Sequence, residues 1–347
     1  MNKRVLAGMR ASGRLHLGNY YGGTKGMLAL QNDENYDTFY MVANLHGITT
    51  PFNPKELKES TRSVILDYLA AGLDPEKSTL FVQSDVADLH TQLAFYLSSV
   101  VTKARMQHLP TFKEKAKQYP ENVTMALLNY PVLMAADILI YKAQAVPVGI
   151  DQEPHIEVAR EIARKMNDQY GMDFPEPKRF TVSGGEYIPS LTGNGKMSKS
   201  VEGSYIALTD DLQTIKKHLA GVPTDSGRGD IKEGLYFSAE AMKAAASPED
   251  LEPSRGVNSL MTLVELFQGS GRKKEYDNKY ESEGVRYGDL KNELAEAINK
   301  ELEPVQKRRK IYEDDPSLVD RILKEGAQKA RVVAEQTVKE IKEKMGL

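Results

Sequence analysis

The sequence predicts an α/β fold: a parallel sheet interleaved with helices, followed by a C-terminal α-helical domain. Three observations carry this. The runs Val5-Leu6-Ala7, Thr38-Phe39-Tyr40-Met41-Val42-Ala43 and Thr79-Leu80-Phe81-Val82 are short, apolar and rich in β-branched or aromatic residues. Helical periodicity separates them, as expected of buried parallel strands in βαβ units. From about residue 206 the strand signals fade, and long helical stripes replace them.

Taken in order, Arg4 to Met9 reads as the first strand, and a turn holding Ser12 and Gly13 leads to a helix opened by Gly18 and Asn19. Leu57, Val64, Ile65, Tyr68 and Leu69 then recur at helical spacing, and Gly72 falls where that helix stops. In parallel sheets the working residues collect beyond the carboxyl ends of the strands. His16, Asn44, His46 and Gln83 all follow strands, so Asn44 and His46 either line such a crevice or cap its turns. A helix beginning near Pro131 places Met134 and Asp137 three apart on one face. Glu157, Arg160, Glu161 and Arg164 sit at helical spacing and read as a solvated ion-pair ladder. Gly221 to Pro253, rich in Gly, Pro, Ser and Asp, reads as a loop or long connection, with a mobile Ala/Ser/Pro stretch at 241–248. Leu290, Leu294, Ile298, Leu302 and Val305 form one apolar stripe, and Leu318, Ile322, Val333, Val338, Ile341 and Met345 form another. The boundary is therefore drawn at 205, with an α/β domain over 1–205 and a helical domain over 206–347.

At 347 residues, 40% hydrophobic and 27% charged, the chain is long enough for two domains with a sizeable core. It has no cysteine, which excludes disulfides, thiolate zinc sites and cysteine-ligated iron–sulfur clusters. The six histidines show no metal-ligand spacing, and no structural metal is expected. No apolar run approaches membrane-spanning length, and Met1-Asn2-Lys3-Arg4 leads into a strand, so cytoplasmic residence without a membrane partner is the expectation. With 46 basic against 49 acidic residues, a net charge of -3 exerts no global pull on nucleic acid. Any such contact is local. Its candidates are Lys103 with Arg105, Lys113-Glu114-Lys115-Ala116-Lys117, Arg272-Lys273-Lys274 and Lys307-Arg308-Arg309-Lys310, and charge runs of this kind are usually solvated helix faces.

Two distant segments carry the chemistry. In Arg14-Leu15-His16-Leu17-Gly18-Asn19 the free N–H groups and positive dipole end of a helix start attract phosphate. In Lys196-Met197-Ser198-Lys199-Ser200 two lysines flank a serine beside the flexible Gly193-Asn194-Gly195, a cationic clamp for charge developing in phosphoryl chemistry. Together they describe one nucleotide site. A Walker loop is excluded, because Ser190 stands where its first glycine must be.

These segments resemble the HIGH and KMSKS signatures of the class I aminoacyl-tRNA synthetases. With Tyr130-Pro131-Val132-Leu133-Met134-Ala135-Ala136-Asp137-Ile138-Leu139 and Val146-Pro147-Val148-Gly149-Ile150-Asp151-Gln152 between them, the chain is similar nearly end to end to the bacterial-type tryptophanyl-tRNA synthetases. Asn19 replaces the second histidine of the first signature, as is usual in that branch; as an amide it can cap the helix and donate to phosphate. Arg10 stands where many relatives carry glutamine and Ile150 where they often carry glutamate. The resemblance implies a Rossmann-like catalytic domain acting on L-tryptophan, ATP with Mg2+, and tRNA(Trp), an anticodon-reading helical domain, and a homodimer. Catalysis would rest on His16, Asn19, Lys196, Ser198 and Lys199. Nucleotide contacts would come from Arg10, Ala11, Ser12, Gly18, Asn19, Gly149, Ile150, Asp151, Ile188 and the stretch Lys196, Met197, Ser198, Lys199, Ser200. Tyr130 and Gln152 would meet the ammonium and carboxylate of the amino acid, with Met134, Asp137 and His46 around its side chain.

An acid inside Leu133-Met134-Ala135-Ala136-Asp137-Ile138-Leu139-Ile140 is poorly placed for a surface role, and Asp137 can accept the indole N–H. A tyrosine hydroxyl also donates. The competing readings are therefore a tyrosine-specific synthetase, a small-molecule adenylyltransferase, and a non-catalytic RNA-binding paralogue.

Overall fold

The computed structural model describes residues 2–11, 13–180, 187–199, 201–247 and 250–347. They fall into two compact units, one of Met1–Gly13, Gly23–Gly185 and Ile311–Leu347, the other of Arg14–Gly22 and Glu186–Lys310. A single boundary at residue 205 does not describe them. The first signature segment folds with the second unit and the last helix with the first.

The first unit is built on β1 (Lys3–Arg10), β2 (Tyr36–Ala43), β3 (Ser78–Val82), β4 (Ala145–Pro147) and β5 (Lys178–Phe180). All pairings are parallel and the order is β3-β2-β1-β4-β5. The first three strands fall on the apolar runs. The last two were not legible as strands, because three residues each are too few to show a period. The order reverses at β1, so a crevice opens past its carboxyl end. Arg10 and Ala11, the turn Leu45–Thr49, Gln83, and the turn Ile150–Gln152 all lie at carboxyl ends of strands.

Helix Pro54–Ala71 starts on an Asn53 cap that accepts from the Lys55 N–H and ends at Gly72, whose φ of 113° only glycine adopts readily. Helix Met125–Leu139 is capped by Thr124 and so begins six residues before the expected start near Pro131, which leaves the proline inside the helix. Helix Pro316–Met345 belongs to the sheet unit: Ala330, Ala334, Val338 and Ile341 share a core with Leu6, Phe39, Phe81 and Leu139. Arg331 reinforces this with a two-pronged bond to Asp88, and Arg62 bonds Asp320.

In the second unit the stripe Leu290, Leu294, Ile298, Leu302 and Val305 is buried along helix Tyr287–Asp314, as its spacing predicts. Gly221 to Pro253 departs from the loop expectation. It contains an antiparallel hairpin, β6 (Gly229–Lys232) and β7 (Leu235–Ser238), and a helix, Ala239–Ala244, capped by Ser238. The hairpin is held by tertiary bonds: the Tyr236 carbonyl accepts from the Ser254 N–H at 2.7 Å, its N–H donates to Asn258 Oδ1 at 3.2 Å and its hydroxyl donates to Asp277, while just before it Asp225 accepts from Gly227, Ser254, Tyr280 and Tyr287. Among the described residues no helix is long and apolar enough to cross a membrane.

Gly326 of the last helix lies against β3 so closely that an added Cβ would fall 1.8 Å from the Leu80 carbonyl oxygen. Gly326→Ala should therefore lower stability by about 1–3 kcal/mol or more through overpacking. Urea denaturation measures it, and an unchanged midpoint would refute this seating of the helix.

Candidate active site

In the second unit, the His16 and Lys196–Lys199 segments come together. His16 caps helix Leu17–Asn19: its Nδ1 accepts from the Asn19 N–H at 3.3 Å, while the Asn19 side-chain oxygen accepts from the His16 N–H at 3.3 Å. Leu17 donates to the Ile206 carbonyl at 3.0 Å and Leu208 to that of Leu15 at 2.9 Å, clasping this turn to the strand-like 206–208 segment. The lysine-bearing loop is a tight turn. Gly193 and Gly195 have φ of 82° and 69°, Ser190 donates to the Gly195 carbonyl at 2.9 Å, and Met197 donates to that of Ile188 at 3.0 Å. Met197 and Ile188 are buried, which leaves Lys196 exposed and Lys199 half-buried on either side of the anchor. Gly18 is where the two segments meet: a Cβ there would lie 2.9 Å from His16 Cε1 and 3.3 Å from Met197 Cβ. Burial, aided by the charges of Lys199 and Lys196, pushes the His16 imidazole down to about 4, so it is neutral at pH 7. Ser12 and Ser200 lie outside the described residues.

In the first unit, Asp137 is the centre of a buried polar cluster. Its Oδ1 accepts from Gln83 Nε2 at 2.8 Å and His90 Nδ1 at 2.7 Å, and its Oδ2 accepts from His46 Nε2 at 2.8 Å. His90 Nε2 lies 2.7 Å from the Tyr141 hydroxyl. Burial pushes the Asp137 carboxyl up, but hydrogen bonds from His46 and His90 outweigh it and hold the group below the usual carboxylate range. An ionised carboxylate offers about four lone-pair directions. Three are taken among the described residues. The acid that its apolar neighbours in sequence marked as buried is thus already oriented by three donors. Met134 lies one turn before it, partly buried against the core.

A second chain joins the other amino-acid candidates. Gln152 Nε2 donates to Asp151 Oδ2 at 2.7 Å, which turns its oxygen toward His155 Nδ1 at 3.0 Å. Since that oxygen only accepts, Nδ1 carries the proton, and Nε2 faces the hydroxyls of Tyr130 at 2.9 Å and Thr111 at 3.0 Å. Burial pushes His155 down to about 4, consistent with this neutral form. Gly149 precedes the turn, and Ile150 is exposed. Arg10 donates to the His46 carbonyl at 2.9 Å. Burial lowers its pKa and that of Lys115, whose ammonium also feels the Arg10 charge.

From sequence, His90 and His155 read as packing or surface residues, and Tyr141 and Thr111 were not singled out. His155 stands three residues after Gln152, a helical spacing that could have revealed it; nothing local marks His90, which lies among Leu89, Leu93 and Leu97. Several candidate RNA-contacting cations have internal partners. Arg105 grips Glu161 with two nitrogens, which removes Glu161 from the expected ladder; Arg160 and Arg164 share Glu157 and add Glu153 and Glu176. Arg272 pairs with Glu293 and Glu275 and lies 4.7 Å from the Tyr276 ring centre, Lys273 pairs with Asp277, and Lys307 with Glu303.

His16 and His155 are neutral when folded and protonate when unfolded. The stability they contribute is therefore complete above about pH 6.5 and is lost as pH falls toward about 4. The loss should reach ~1.4 kcal/mol per pH unit for each. His155→Gln should make the fall in urea-derived stability over that window shallower, and curves parallel to the parent would contradict the neutral assignment. Gly18→Ala should lower stability by about 1–3 kcal/mol, because its Cβ would crowd both His16 and Met197, and an unchanged urea midpoint would show that the close approach is immaterial.

The family model for class I tRNA synthetases (W and Y) matches residues 2–303. The tryptophan–tRNA ligase of Porphyromonas gingivalis is 37% identical over 344 residues, covering 99% of this chain and 98% of its own. That of Caldanaerobacter subterraneus subsp. tengcongensis is 41% identical over 349 residues, covering 99% and 98%. The crystal structure of tryptophanyl-tRNA synthetase from Campylobacter jejuni complexed with ADP and tryptophan has a TM-score of 0.83 at 32% identity, covering 99% of this chain and 100% of that one. Similarity of this extent, running through the motif-bearing segments just described, makes the chain a member of the tryptophan branch of the class I aminoacyl-tRNA synthetases.

Proposed function

We infer that the chain is a tryptophan–tRNA ligase, which joins L-tryptophan to ATP as tryptophanyl-adenylate, releases pyrophosphate, and passes the tryptophanyl group to tRNA(Trp). The observation that carries this reading is Asp137. It is ionised, buried and held by three donors, with one lone-pair direction left on Oδ2 for the single donor of an indole ring. A hydrocarbon side chain such as that of phenylalanine would leave this acceptor buried and unmet, at a cost able to support discrimination of about 10⁴–10⁵.

Adenylate formation is attack of a carboxylate oxygen on the α-phosphorus, with cleavage of the bond to the bridging oxygen and departure of pyrophosphate. Both reactants are anions, so the enzyme's task is to supply positive charge and orientation. Lys196 and Lys199 provide the charge for the leaving pyrophosphate, with Ser198 between them. His16, being neutral, and Asn19 hold the nucleotide as hydrogen-bonding groups beside Gly18. Mg2+ enters on the ATP phosphates as part of the substrate. Arg10, Ala11, Gly149, Ile150, Asp151, Ile188 and Met197 serve the nucleotide; Tyr130 and Gln152 receive the ammonium and carboxylate, and His46 and Met134 complete the surroundings of the ring. The second step is attack by a terminal ribose hydroxyl on the activated carbonyl, with AMP leaving and the hydroxyl proton lost.

The helical region within 206–347 reads the anticodon, with Lys307 or Arg308 among its contacts, and the enzyme works as a homodimer in the cytoplasm. The parallel sheet with its helices is the Rossmann-like catalytic part.

ATP–pyrophosphate exchange supported by tryptophan and not by tyrosine is the expected result, and exchange with tyrosine alone would overturn the reading. Asp137→Ala should raise the tryptophan KM by about 10²-fold or more while sparing ATP binding. Lys199→Ala should instead lower kcat by about 10²–10³-fold. Because the chain contains no tryptophan, the bound amino acid can be followed by its own fluorescence against tyrosine emission.

A further inference from the structure

His90 and Tyr141 have no part in the chemistry derived above, yet they stand directly behind the residue that recognises the indole. His90 is completely buried on helix Ala87–Ser98, and Tyr141 is equally buried. Resting on the reading of Asp137 as the indole acceptor, we propose that the Tyr141–His90 pair is a specificity-determining positioning device. It turns the Asp137 carboxylate so that its last lone pair, on Oδ2, meets the substrate N–H.

The direction of every proton in the chain follows from its end. An ionised carboxylate only accepts, so His90 Nδ1, 2.7 Å from Oδ1, carries a proton and donates it. His90 Nε2 faces the Tyr141 hydroxyl at 2.7 Å, and that hydroxyl, by donating to Nε2, keeps the ring proton on Nδ1. Burial and the charge of Asp137 push the Tyr141 pKa up, so that hydroxyl keeps its proton. Neither ring is loosely held. Tyr141 stacks on Phe39 with centroids 4.8 Å apart, and Phe81 packs at 5.7 Å from Tyr141 and 6.4 Å from His90.

The geometry at the carboxylate gives these bonds their consequence. Gln83 and His90 fill both directions on Oδ1, which blocks rotation of the group; His46 fills one on Oδ2. Without the Tyr141 donor, His90 can take its other tautomer and present a bare nitrogen to Oδ1. The carboxylate would then turn away, and only a ligand that relies on Oδ2 would suffer.

The test compares tryptophan with 3-(1-benzothiophen-3-yl)alanine, in which sulfur replaces the indole N–H at nearly the same shape. The readout is the ratio of their kcat/KM values in ATP–pyrophosphate exchange. Tyr141→Phe should reduce the preference for tryptophan about tenfold, and His90→Leu about a hundredfold, with the analogue's own kcat/KM little changed. His90→Asn, whose amide can donate from the Nδ1 position, should restore most of it. Tyr141→Phe removes one oxygen, so the test survives if His90→Leu fails to fold. If these variants slow both substrates equally, the pair is merely structural and the inference falls while the Asp137 reading stands. If Asp137→Asn itself leaves the preference intact, the Asp137 reading fails and the inference with it.

Discussion

A carboxylate sealed inside a protein is tolerable only if its charge is answered by hydrogen bonds, and much of the first unit is arranged around answering that of Asp137. The three donors come from separate pieces of chain: the turn after β2 provides His46, the residue after β3 provides Gln83, and helix Ala87–Ser98 provides His90, which Tyr141 backs from beyond helix Met125–Leu139. His46 and Gln83 sit where the parallel strands β2 and β3 deliver their carboxyl ends to the same side. Loss of a single donor would strand buried charge, which costs more than the bond itself contributes. The cluster therefore fixes the orientation of the carboxylate as well as its charge.

The signature segments of the second unit obey a different constraint, namely close approach. Gly18 sits within van der Waals reach of both His16 and the Met197 side chain, and a Cβ at Gly193 would lie 2.9 Å from the Gly256 nitrogen. These glycines let backbone segments pack against each other where any side chain would separate them. Arg255 adds a bond from its guanidinium to the Asn194 side chain at 2.8 Å, so the lysine loop is tied to the start of helix Arg255–Glu281. A lysine can serve a departing phosphate only if its backbone is held, and burial of Met197 between Lys196 and Lys199 supplies that hold.

A buried neutral histidine appears in each unit, His16 beside the lysines and His155 beside Tyr130 and Gln152. In each case the ring acts as an oriented donor and acceptor whose tautomer is set by its neighbours, a role that would be lost if it carried charge. Burial is the dominant cause in both, which links the packing of the core directly to the state of the site.

Much of this was legible from residues alone. Three of the five strands of the parallel sheet, the helix stop at Gly72, the apolar stripe from Leu290 to Val305, the pairing of the two signature segments and the burial of Asp137 all follow from periodicity, local conformational preference and charge in an apolar run, which act within a few residues or within a motif. What the sequence could not decide were matters of long-range contact. Strands three residues long have no period to read. The hairpin at 229–238 is anchored from outside its own sequence, where Tyr236 accepts from the Ser254 N–H and donates its N–H to Asn258. The partners of Asp137 and of Gln152 arrive from distant segments, so His90 and His155 looked like ordinary core histidines. The last helix shows the same limit: its apolar stripe announced a helix, but only contact between Gly326 and Leu80 decides that it closes over the sheet, because an amphipathic face specifies that it must be covered and not by what.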